Sequence, residues 1–147
     1  MTPEDLSALL IRNLPEVDHR GEIIEDIGVD CVRLRLPVLG TYFSHDLPAG
    51  AGQGVLSGPV TMGFAETAMY ACIHACYGAH VLAVTLTMNV SFLRLAGAED
   101  LTAVARLLKR GRTTAFVECH LYSGATDQAC CHATATYSVR AVKATGA

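Results

Sequence analysis

The chain has 147 residues, about one domain's worth, with 51% apolar and only 17% charged side chains. That balance, with a mean hydropathy of +0.33, does not belong to a disordered chain, and a net charge of −3 with pI near 6.0 leaves no basic stripe for nucleic-acid phosphates. A membrane span is not expected either, because the most apolar helical stretch, residues 60–77, is interrupted by Glu66 and His74.

The chain starts Met1-Thr2-Pro3-Glu4-Asp5, acidic and without an apolar run, so no secretory signal is expected and a cytoplasmic location is. Residues 3–14 read as a short helix capped by Thr2, with Pro3 in its first turn and a stripe of Leu6, Leu9, Leu10 and Leu14. Two strands are predicted next, over residues 22–27 and 31–38, joined by a turn containing Gly28. In the second, Val32, Leu34 and Leu36 share one face and Arg33 and Arg35 the other.

A glycine-rich loop is expected over residues 48–58, then the longest helix over residues 59–77, with Pro59 in its first turn and Gly78 just past its end. This helix is apolar almost all round, so it must be enclosed. Beyond it, Val84, Leu86, Met88, Val90 and Phe92 alternate with Thr85, Thr87, Asn89 and Ser91, which predicts a strand with those apolar residues on one face. Strands over residues 101–108 and 116–122 flank the turn Lys109-Arg110-Gly111-Arg112, and a last strand over residues 132–139 turns Ala133, Ala135, Tyr137 and Val139 to one side. An irregular tail is expected from Arg140 onward. Short connections favour an antiparallel sheet, and a sheet curled around one apolar helix is an α+β domain. Its free edge and outer face are commonly covered by a second copy of the chain.

Chemistry concentrates on the long helix. Glu66 sits mid-helix among Phe64, Ala65, Ala68 and Met69. A carboxylate there either lies on a thin solvent-facing stripe or is held as a general base or nucleophile. Ser57-Gly58-Pro59 opens the helix, where free N–H groups and the positive end of the dipole suit a developing oxyanion, and where a plain Ser cap is the competing reading. Tyr70 and His74 follow Glu66 at i+4 and i+8 on the same face, and His74 reads as a helix-end residue. The other histidines, at 19, 45, 80, 120 and 132, have no metal-ligand spacing, and no metal is expected. The six cysteines include no Cys-x-x-Cys and read as reduced thiols serving as small hydrophobes. Lys109, Arg110 and Arg112, joined by Arg94, form the one cationic cluster: a solvated hairpin end or a phosphate clamp for a nucleotide-tailed ligand.

These pieces resemble the hotdog-fold acyl-CoA thioesterases of the phenylacetate-degradation (PaaI-like) type. The resemblance rests on the run from Ser57-Gly58-Pro59 to Glu66, on Val84-Thr85-Leu86-Thr87-Met88-Asn89-Val90-Ser91-Phe92-Leu93-Arg94, on Lys109-Arg110-Gly111-Arg112-Thr113 and on Ala133-Thr134-Ala135-Thr136-Tyr137, and covers about residues 20–140. It implies one hotdog domain over residues 1–147 that hydrolyses a thioester, with Glu66 attacking the carbonyl or activating water and the Gly58 N–H polarising the carbonyl oxygen. It implies that these two groups come from opposite subunits of a homodimer or homotetramer, that the Thr85 hydroxyl orients the attacking group, and that Phe92, Lys109, Arg110, Gly111, Arg112 and Thr113 hold CoA. No cofactor is implied beyond the CoA of the substrate. The chain departs from the family's pattern where Ser57 replaces a histidine, Pro59 a glycine, and Ala51 an amide side chain for which Gln53 is the nearest substitute. A non-catalytic acyl-CoA sensor is the competing function; a hotdog hydratase is a weaker one, since no Asp/His pair is evident.

Overall fold

A computed structural model describes residues 1–44 and 54–143. Most of the glycine-rich loop, with Ala51, Gln53 and His45, lies outside the described residues, as do residues 144–147 of the tail. Helix α1 (Pro3–Asn13) opens on a capping box in which Thr2 and Asp5 satisfy each other's backbone N–H, and it buries Leu6, Leu9 and Leu10. Strands β1 (Ile23–Gly28) and β2 (Cys31–Leu36) form a hairpin whose left-handed residue is Asp30, at φ 53°. Gly28 has a different reason to be small: a Cβ there would lie 2.8 Å from the Cys31 sulfur.

Helix α2 (Gly58–Tyr77) starts one residue earlier than Pro59 and ends at Gly78, whose φ of 93° suits glycine. It is followed by β3 (Val81–Phe92), β4 (Leu101–Arg110), β5 (Thr114–Ser123) and β6 (Cys131–Ala141). The strands form one antiparallel sheet in the order β1-β2-β4-β5-β6-β3. This is the hotdog arrangement, with the sheet packed against the long helix. Phe64, Met69 and Ile73 of α2 are fully buried against Leu34, Leu101, Val117 and Leu121 of the sheet. Each such side chain contributes about 1.5–3 kcal/mol. Gly63, costly inside a helix, gives way to Arg20: a Cβ there would meet its guanidinium at 2.5 Å.

Two expectations need correction. The alternation in β3 does not hold one face throughout, because a bulge interrupts its pairing with β6 between Thr85 and Thr87, leaving Leu86 without a partner. Ala83 and Thr85 pair with the inward residues Val139 and Tyr137, whereas beyond the bulge Met88 and Val90 pair with inward Ala135 and Ala133. Val84 and Leu86 therefore point outward, 47% and 55% exposed. The second correction concerns Arg94. It follows the end of β3 beside Cys130, whereas the Gly111 turn lies by Val139, near the other end of that strand. About ten extended residues, on the order of 30 Å, separate them, so within one chain Arg94 does not join that cluster. Lys109 and Arg110 also belong to β4 itself, which runs past Leu108.

The cysteines are free thiols packed mostly into the core, and burial pushes Cys119 up and Cys131 up to about 11. Among the described residues no helix is long and apolar enough to cross a membrane.

Candidate active site

Glu66 lies a little less than halfway along α2, half-buried, on the side of the helix that faces β3 and β6. Its Oε1 accepts a 2.7 Å hydrogen bond from the Thr85 hydroxyl and a 3.3 Å bond from the Tyr137 phenol, which also reaches the Glu66 backbone oxygen at 3.4 Å. The β3 bulge is what makes this possible. It sets the phase of the strand so that Thr85, rather than Val84 or Leu86, faces the helix. Tyr137 is fully buried; that burial, and then the Glu66 carboxylate, raise its phenol well above the usual range and keep it a proton donor. Two donors on Oε1 fix the carboxylate plane, while Oε2 receives no hydrogen bond from the described residues. The arrangement leaves one oxygen anchored and the other available for chemistry.

At the head of α2, Ser57 is the N-cap: its Oγ accepts from the Val60 N–H at 3.2 Å and its backbone oxygen accepts from the Thr61 N–H and hydroxyl, both at 3.1 Å. This cap uses an oxygen lone pair and not the hydroxyl proton, which remains able to donate. Pro59 has no N–H, and the Gly58 N–H has no partner among the described residues. Gly58 thus presents a donor at the positive end of a 20-residue helix. Phe92 lies beside it, since a Cβ on Gly58 would meet the ring at 3.7 Å.

The basic turn sits at the opposite end of α2. Arg110 donates to the Cys76 carbonyl and lies over the Tyr77 ring at 5.0 Å, and the Tyr77 hydroxyl donates to the Gly111 carbonyl at 2.9 Å. Thr113 accepts from the Val139 N–H at 2.8 Å, and Gly111 donates to Thr114 at 2.9 Å. Lys109 and Arg112 are exposed. His74 is fully buried, hydrogen-bonded through Nδ1 to the Gly78 carbonyl at 3.1 Å, with its ring 4.6 Å from Tyr70. Burial lowers its pKa, so at neutral pH it acts at the helix end as an uncharged donor rather than as a cation.

Within one chain, then, the structure brings Glu66, Thr85 and Tyr137 together, and separately Gly58 and Phe92. Gly58 and Glu66 are eight residues apart on α2, about 12 Å along its axis. Gly58 and Gly111, beside Tyr77, are separated by about 28 Å of helix. Tyr137 had been readable only as an inward strand residue; its partner lies 71 positions away, a relation no local pattern carries.

A family model described as Thioesterase superfamily matches residues 53–130, more than half of the chain. The chain belongs to the thioesterase superfamily. Thioester hydrolysis is accordingly its reaction class. Among solved structures, this thioesterase is similar to a candidate thioesterase from Silicibacter sp. TM1040, at 29% identity and TM-score 0.82, covering 95% of this chain and 92% of that one. A thioesterase from Haemophilus influenzae is 25% identical, with TM-score 0.80 over 100% of this chain and 96% of the other. A thioesterase variant from Pseudomonas aeruginosa, 23% identical with TM-score 0.77 over 97% and 96% of the two chains, shares the fold. Among curated proteins none matches.

Proposed function

We propose that this thioesterase hydrolyses an acyl-CoA or aryl-CoA thioester to the free acid and CoA, in the manner of the phenylacetate-degradation (PaaI-like) type, in the cytoplasm. The observation that carries the reading is the Glu66 carboxylate, anchored on Oε1 by Thr85 and Tyr137 with Oε2 open. As general base, Oε2 takes a proton from water while the water oxygen bonds to the thioester carbonyl carbon. The carbonyl electron pair moves onto oxygen, where the Gly58 N–H stabilises it. Collapse re-forms the C=O bond and breaks the C–S bond, and the sulfur takes the proton back from Glu66. As nucleophile, the same Oε2 bonds to the carbonyl carbon and expels CoA, and water then cleaves the anhydride. Either route uses the same oxygen.

A carbonyl must sit about 3 Å from both the attacking group and the oxyanion donor, and 12 Å of helix separates Glu66 from Gly58 in one chain. The Glu66 of one subunit therefore works with the Gly58 of another, in a homodimer or homotetramer. The long edge strand β3, with Leu82, Val84 and Leu86 exposed, suits pairing with a second copy about a two-fold axis. In the same pairing Phe92 of one copy and the Lys109–Thr113 segment of the other hold the CoA portion. The Ser57 hydroxyl donates to the substrate.

A second reading, a non-catalytic acyl-CoA sensor, is favoured by the serine at position 57, whose oxygen caps the helix. A panel of acyl-CoA and aryl-CoA thioesters, assayed by release of free thiol for wild type and Glu66→Ala, separates the two. Cleavage of at least one thioester by wild type and not by the variant supports hydrolysis. CoA binding with no cleavage by either supports the sensor.

A further inference from the structure

The face of the sheet turned away from α2 carries a group that the chemistry above does not use. His120 of β5 stands directly opposite His132 of β6, and Glu118 lies two residues before His120 on the same outward side. The inward side of these strands is taken by Val117, Cys119, Leu121 and Ala133, all fully buried. The imidazole rings are 4.4 Å apart at 33°, and His132 Nε2 lies 3.2 Å from Glu118 Oε2. One ligand atom from each residue lies within 4.8 Å of the others. A tetrahedral zinc ion with bonds of about 2.0–2.1 Å needs its donors about 3.4 Å apart. One edge of that triangle already has this length, and rotation of half-exposed side chains closes the other two.

We propose that Glu118, His120 and His132 form a divalent transition-metal site, with zinc as the fitting ion. Two imidazoles and one carboxylate suit zinc, cobalt or nickel, whereas magnesium and calcium take all-oxygen shells. Three protein ligands leave a fourth position to water. The ion bridges β5 and β6 on the opposite side of the sheet from Glu66, so it staples the sheet and takes no part in the thioesterase step. An ion pair between His132 and Glu118, with His120 merely stacked, is the arrangement to be distinguished from it.

The test uses the full chain without a histidine tag, stripped of metal by a chelator, and titrated with cobalt(II) followed by zinc. One cobalt per chain, bound at micromolar concentration or tighter, should give visible absorption without thiolate charge-transfer bands, and zinc should displace it. His120→Ala and His132→Ala should each weaken binding by more than about tenfold, with His80→Ala unchanged. Zinc at a hundredfold excess over Kd should raise Tm by about 5–10 °C in wild type and in neither variant. Glu118→Gln, which keeps the shape of the site, should weaken binding in the same sense. Binding only at millimolar cobalt, thiolate bands, or an affinity unchanged by His120→Ala and His132→Ala would overturn the proposal. Should either histidine variant fail to fold, an unchanged affinity in Glu118→Gln would do so.

Discussion

The two ends of α2 are built to opposite standards. At the Tyr77 end most polar groups find partners: the Gly78 N–H donates to the His74 carbonyl, Arg110 to Cys76, Tyr77 to Gly111, and His74 Nδ1 to the Gly78 carbonyl, while the buried His74 Nε2 has none among the described residues. At the Gly58 end, Ser57 caps one N–H, Pro59 brings none, and the Gly58 N–H is left without a described partner beside an exposed Phe92. An orphan donor at a helix start stabilises nothing in the free protein. The Tyr77 end of the helix is held by side chains of the neighbouring turn, and the Gly58 end keeps one backbone donor free.

The largest expected effect tests the middle of the helix, against which both ends are compared. Glu66→Gln keeps the shape and the hydroxyl contacts but removes the base, and kcat should fall by about 10²–10⁴-fold with Tm nearly unchanged, read by thiol release and calorimetry. A near-normal kcat would sink the assignment. Next comes the open end. Gly58→Pro removes the one N–H while suiting the first helical turn, and Ser57 already has the extended ψ of 142° that a following proline requires. It should cost about 10²–10³-fold in kcat. If the site is shared, mixing and refolding Glu66→Ala with Gly58→Pro should regain about a quarter of wild-type activity, since half of the sites in mixed dimers are intact. No regain would place both groups in one subunit's site.

Smaller changes sharpen the contrast. Thr85→Val and Tyr137→Phe each remove one donor from Glu66 Oε1, and each should lower kcat by about tenfold with little change in KM. At the Tyr77 end Arg110→Ala should raise KM for CoA thioesters with kcat unchanged and lower Tm by about 2–4 °C, the loss of a CoA contact together with an exposed cation–π contact and a helix-end donor. His74 adds a pH signature there. Its folded pKa lies below the ordinary 6.5 because of burial, so the unfolded chain binds the extra proton first as pH falls. Stability should drop as pH falls from about 6.5 toward the depressed folded value, and His74→Gln should flatten that part of a Tm-against-pH curve.

Much of this was legible in the residues because local rules and the global fold agree. Thr2 and Pro3 start α1, Ser57-Gly58-Pro59 starts α2, and alternation in β2 and β6 marks their buried faces. Glu66 stood out because a charge is rare in so apolar a helix. What escaped is what pairing creates. Val84 and Leu86 look like core residues by alternation, yet the bulge turns them outward onto the exposed side of the edge strand. Tyr137 is paired with Glu66 by the packing of β6 on α2, and His120 with His132 by register alone. Neither relation has a period that a linear reading can detect.

The unpaired Leu86 carries one more consequence. Because Thr85 and Met88 pair with inward Tyr137 and Ala135 on either side of the bulge, losing Leu86 alone would restore regular alternation and leave Thr85 facing Glu66. What the extra residue adds is an outward leucine on the edge strand, so its loss would thin the exposed apolar surface there and spare the carboxylate's anchor.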